Sequence, residues 1–82
     1  MNAMDILKSI TDNNTIPPHT TITVELTDRA HLERSKLIRE TCLATVRKHA
    51  PRSGTPMTIN SFLSDSPDDL IEQVSDFLEE GR

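Results

Sequence analysis

Hydrophobic positions fall into separable stretches along the chain. Ala3, Ile6, Leu7 and Ile10 recur at i, i+3, i+4 and i+7, which predicts a short amphipathic helix. Asp12-Asn13-Asn14 stops it, and Pro17-Pro18 forbids helix and favours an extended entry to the next element. From Thr20 to Thr27, Ile22, Val24 and Leu26 alternate with Thr21, Thr23 and Glu25, the pattern of a half-buried strand. An unpaired strand leaves its ladder of backbone groups unsatisfied, so Thr20–Thr27 is expected to pair, across a dimer if no other strand is available.

Asp28 to Ala50 then runs 23 residues without Gly or Pro until Pro51. Leu32, Ile38, Cys42, Leu43, Val46 and Ala50 gather on one side of a helical wheel, with Thr27 or Asp28 placed to cap the first turn. The expectation is a long helix, about 34 Å at 1.5 Å per residue. Pro51 to Pro56 reads as a loop from its breakers, and residues 56–60 read as a short strand, although Ile59, Phe62 and Leu63 also fit helical spacing. Ser66-Pro67-Asp68-Asp69 is a helix start, with an N-cap serine, proline at the first position and acids at the positive dipole end. Leu70, Ile71, Val74, Phe77 and Leu78 give that helix its apolar stripe, and Gly81 stops it. The predicted fold is a single small α+β domain over residues 1–82, in the order helix, strand, long helix, short strand, helix. Met1-Asn2-Ala3, ahead of Met4, reads as an expression leftover.

Composition narrows the chemistry. Leu, Ile, Val and Phe number 20 of 82 residues, enough for a small core. A fold this small without disulfides or a metal cluster gains most by sharing its core, so a homodimer is expected. With Phe62 and Phe77 as the only Phe, Tyr or Trp residues, most aromatic stacking platforms for single-stranded nucleic acid are removed. No apolar run is long enough to span a membrane, and one cysteine with no signal peptide points to the cytoplasm.

Nothing in the motifs requires catalysis, a cofactor or a metal. Two glycines cannot build a phosphate-binding loop, and His19, His31 and His49 lack metal-ligand spacing. On a helix, Cys42 and His49 would stand about 10 Å apart, too far for a thiolate–imidazole pair. Cys42 is therefore read as a core residue, and the protein as a non-enzyme.

Charge is strongly segregated: residues 1–28 carry −3, residues 29–52 carry +5 and residues 53–82 carry −6, for a net −4. The basic and acidic segments are expected to pack side by side, in cis or across a dimer. Two interaction surfaces follow. One is the acidic face Asp68, Asp69, Glu72, Asp76 and Glu79, fit for an unknown protein partner. The other is the set Arg29, Arg34, Lys36, Arg39, Arg47, Lys48 and Arg52, which on a long helix would meet DNA phosphates.

Thr23-Val24-Glu25-Leu26, with the later Arg34-Ser35-Lys36-Leu37-Ile38-Arg39-Glu40, resembles the strand and second helix of ribbon-helix-helix repressors over about 20 residues. Thr27 to Glu33 leaves no room for that family's first helix and turn, so its function is not carried over. The functional expectation is a small protein–protein interaction module, an adaptor or regulator of phage or plasmid type. The alternative is a dimeric DNA-binding regulator using a basic helix over 29–50.

Overall fold

The computed structural model describes residues 2–80, apart from the side chain of Arg29. The chain is a small α+β domain in the order α1 (Ala3–Asn13), β1 (Thr20–Glu33), β2 (Lys36–His49), β3 (Pro56–Ser64) and α2 (Pro67–Glu80). The three strands form one antiparallel sheet in the order β1-β2-β3.

Both helices form where their stripes and caps place them. Asn2 caps α1, its Oδ1 accepting the Asp5 amide at 2.9 Å, so Asn2 and Ala3, two of the residues read as an expression leftover, take part in the helix start. Ile6 and Ile10 are fully buried beneath that helix. At the other helix, Ser66 Oγ accepts the Asp69 amide at 3.4 Å, and Leu70, Val74 and Leu78 are buried. The helices are tied to each other by Asn14, whose Nδ2 donates to the Ile10 carbonyl and to Ser75 Oγ, both at 2.9 Å. Gly81, the expected helix stop, lies outside the described residues.

The long helix expected over Asp28–Ala50 does not form; its residues make the second half of β1, a tight turn and all of β2. Thr27 and Asp28 accordingly cap nothing. Arg34–Glu40, which suggested the second helix of a repressor, is turn and strand. The strand at Thr20 is real and finds its partner within the chain, Ile22 opposite Val46 and Val24 opposite Ala44, so its ladder needs no second copy. Residues 56–64 resolve as strand, paired to β2 from His49–Pro56 through Cys42–Ser64.

Alternation along β2 explains the choice. Cys42, Ala44 and Val46 point to the helices and are buried with Ile6, Ile10, Leu70, Val74 and Leu78, while Ile22, Val24 and Phe62 flank them from the neighbouring strands. The small side chains of Cys42 and Ala44 on the central strand leave room for both helices on one face. The opposite face of the sheet carries no helix.

Between β1 and β2 the turn is two residues, Arg34 (φ 52°) and Ser35 (φ 68°), since Glu33 already faces Lys36. Two successive positive φ values mark a type I′ turn, whose right-handed twist matches the strands but which normally takes Asn-Gly. Toward the middle of the pairing, Thr27 and Asp28 of β1 fit between the pairs Leu26–Cys42 and Arg29–Glu40, where β2 supplies only Thr41. This is a β-bulge, and Thr27 Oγ1 secures it by donating to the Glu40 carbonyl at 2.7 Å.

Because β3 ends opposite Cys42, residues 27–41 have no third strand beside them. They form a two-stranded arm about 20 Å long at 3.3 Å per residue. The arm gives the molecule its elongation, 47 × 24 × 21 Å.

Placing Arg34 and Ser35 in the left-handed region costs on the order of 1 kcal/mol each. Arg34→Asn combined with Ser35→Gly should therefore raise amide-exchange protection within the arm by about fivefold or more, with the helices little changed. Unchanged or weaker protection in the double variant would contradict the turn described here.

Candidate functional site

The basic residues do not share a helix face; they divide between the two ends of β2. Arg34 occupies the turn, and Lys36 and Arg39 stand exposed on the arm. Arg47 and Lys48 lie at the far end of the strand, about 36 Å from Lys36 along the chain path. There Arg47 Nη1 donates to Thr23 Oγ1 at 3.2 Å, Lys48 Nζ sits 5.5 Å from the Phe77 ring centre, and Arg52 is exposed in the β2–β3 loop. The Arg29 side chain lies outside the described residues. A continuous basic helix across 29–50 is thus replaced by an arm with cations near its tip and a second, partly engaged group at the opposite end.

The acidic residues do share a surface. Asp68, Asp69, Glu72, Asp76 and Glu79 are all exposed on α2, as is Glu80, while Leu70, Val74 and Leu78 turn inward. Among the described residues, no Lys or Arg pairs with a carboxylate, and the one base–acid contact is His31 Nδ1 to Glu40 Oε1 at 4.0 Å, across the arm, an ion pair only when the imidazole is protonated. The basic segment does pack against the acidic helix in cis, through Cys42, Ala44 and Val46 on Leu70, Val74 and Leu78 and through Lys48 over Phe77; what is absent among the described residues is charge pairing between them. The geometric cause of that absence is that α2 starts at the arm's base and runs away from it. Asp69 lies by Ser64, opposite the arm's base at Cys42, whereas Phe77 packs on Phe62 with ring centres 5.3 Å apart.

Asp69 differs from the other acids of the row. Its Oδ2 accepts Ser64 Oγ and Gln73 Nε2, each at 2.8 Å, and Ser64 Oγ in turn accepts the Ser66 amide at 3.1 Å. The Ser64 hydroxyl first, and the Gln73 amide second, hold the Asp69 carboxyl below the usual aspartate range. Asp69 fastens the start of α2 to the end of β3, which leaves Asp68, Glu72, Asp76 and Glu79 as the free part of the row.

An apolar patch on the arm has no counterpart in the sequence reading. Leu32 and Leu37 face each other across the ladder and are 73% and 61% exposed. Beside them on the same face, Ala30 pairs with Arg39. Leu26, at the arm's base, is also exposed. The signal was present in the two-residue spacing of Ala30 and Leu32 and of Leu37 and Arg39, but the helical reading placed only Leu32 among them on its apolar side.

An open cleft of about 330 Å³ at the end of the sheet away from the arm is bordered by Pro17, Pro18, His49, Met57 and Phe77. His49 Nδ1 there lies 3.2 Å from the Gly54 carbonyl. Cys42 is buried, and seven residues of strand separate it from His49 by about 23 Å, more than the helical estimate. Among the described residues, no three His, Cys, Asp or Glu side chains converge as metal ligands, and no helix is long and apolar enough to cross a membrane. No protein-family model, curated protein or solved structure matches the chain.

A carboxyl whose folded-state pKa is lowered stabilises the fold above its unfolded pKa, and that stabilisation is lost as pH falls through the lowered value. Asp69→Asn should make the decline of melting temperature shallower below about pH 4, where aspartate ordinarily titrates. Parallel acid limbs for wild type and variant would show that the Ser64–Asp69–Gln73 contacts contribute nothing.

Proposed function

We propose that the protein is a small non-enzymatic interaction module whose working surface is the outer face of α2. The observation that carries this reading is the row Asp68, Glu72, Asp76 and Glu79, exposed along one helix, with no ion pair to any cation among the described residues. Like charges spaced one turn apart repel, and a partner that brings cations to the row relieves that repulsion. α2 is also held on a rigid base, by Leu70, Val74 and Leu78 in the core and by Asn14 and Ser64 at its flanks. A fixed helix presents its charges to a protein partner without an ordering cost at the moment of binding.

The same row repels phosphate. Nucleic-acid binding would fall to the arm, where Arg29, Arg34, Lys36 and Arg39 stand against Asp28, Glu33 and Glu40 in the sequence, a formal excess of one positive charge. This is weak electrostatic attraction for DNA, whose affinity comes largely from several phosphate contacts made together.

The test neutralises three of the four free acids, Glu72→Gln, Asp76→Asn and Glu79→Gln, leaving Asp68 and Asp69 at the helix start in place. Crosslinking in cells of the source organism should capture a salt-sensitive partner with the wild-type chain and lose it with the variant, while both have the same circular dichroism. If the neutralised chain retains every partner of the wild type, α2 is not the working surface.

A further inference from the structure

We infer that the surface taken up by α2 is the β1–β2 arm of a second copy of this chain, each copy clasping the other in a two-fold dimer. The inference rests on the reading of α2 as an interaction surface and names its partner. Charge complementarity carries it: exposed Arg39 stands on the Leu32–Leu37 face of the arm and exposed Arg34 at its tip, while Lys36, Glu33 and Glu40 fall on the other face. The exposed acids Asp68, Glu72, Asp76 and Glu79 lie on α2. Within one molecule these surfaces cannot meet, because the arm projects beyond Cys42–Ser64 while α2 runs back along the sheet toward Phe77 and Lys48.

Dimensions agree. The two-stranded arm is about 20 Å long, and the 14 residues of α2 span about 21 Å. From Asp68 to Glu79 the acids extend over about 16 Å, close to the roughly 15 Å between Arg34 and Arg39 along the hairpin. Leu32 and Leu37 share the arm face that carries Arg39, so one surface brings both apolar area and positive charge. On α2, the half-buried Ile71 and Phe77 border the acidic row on its two sides, where it meets the buried stripe. Reciprocal docking uses the same two patches on each copy, which closes the assembly at two.

Charge exchange tests the clasp. One variant reverses the arm, Arg34→Glu with Arg39→Glu, and the other reverses the helix, Glu72→Lys with Asp76→Lys. All four positions are exposed, and circular dichroism verifies that each variant folds. Sedimentation equilibrium of the wild-type protein should give a dimer that weakens with salt. Either variant alone should dissociate about tenfold more readily or further, since like charges then oppose each other at both contacts. Mixed in equal amounts, the two variants should form a heterodimer, because both contacts become complementary. A third variant, Leu32→Ser with Leu37→Ser, should also weaken the wild-type dimer.

A wild-type chain that stays monomeric at tens of micromolar overturns the clasp. So does a dimer indifferent to both reversals, which must use another surface such as the free edge of β1. A monomer that instead forms a salt-sensitive complex with duplex DNA assigns the arm to nucleic acid. If the chain is monomeric yet neutralising Glu72, Asp76 and Glu79 still removes a cellular partner, the clasp fails and the interaction role of α2 stands.

Discussion

The packing of Cys42, Ala44 and Val46 beneath the two helices fixes the register of β1 on β2, and the two-residue turn at Arg34–Ser35 closes the hairpin in that register. A slip of one residue would turn the flanking Ile22 and Val24 away from the helices that cover Cys42, Ala44 and Val46. The turn is not made of the residues that favour it, so the register is held from the other end, by the core. Eight buried residues close the helices onto β2, and the pairing then propagates outward through the bulge at Thr27–Asp28 to a turn that Arg34 and Ser35 must adopt. The arm therefore follows from the packing of the body and makes no contribution to the core.

Legibility in the sequence follows the same division. α1 and α2 were readable because their apolar stripes have the helical period, and α2 also because Ser66 stands in a capping position; the Asn2 cap of α1 was missed. The beginning of β1 was readable from Thr20 to Leu26, where β-branched residues alternate with polar ones. β2 was not, because Ile38, Cys42, Leu43 and Val46 satisfy a helical wheel as well as a strand, and no Gly, Asn or Asp marked the turn before them. The clue that pointed to strand was the β-branched content of Thr41, Thr45 and Val46, and the chain-length argument from missing breakers outweighed it. Periodicity is ambiguous where only half of an element is covered: Cys42 to Val46 face the core, whereas Lys36 to Arg39 mostly face solvent.

That ambiguity had unequal effects on the two charged surfaces. The acidic residues Asp68, Glu72, Asp76 and Glu79 lie together on one helix, as helix spacing placed them, while Asp69 is engaged by Ser64 and Gln73. The basic set was dispersed, because a strand of the same residues is more than twice as long as a helix and sends alternate side chains to opposite faces. Segregation of charge along the chain thus becomes segregation in space, with acids on a helix packed against the body and Arg34, Lys36 and Arg39 on an arm that leaves it. On the proposed reading this separation is what makes the two surfaces available to each other only between molecules.

The account stands on residues 27–41 being a free-standing β-ribbon, since the arm's exposed leucines and its distance from α2 both depend on it. Nuclear Overhauser contacts in the isotopically labelled protein test this directly. The account predicts cross-strand contacts between Leu32 and Leu37 and between Ala30 and Arg39, with strong sequential α-proton to amide contacts on either side of the turn. Amide-to-amide contacts running without a break from Asp28 to Ala50, together with i to i+3 contacts, would show a helix there and contradict the arm and everything derived from it.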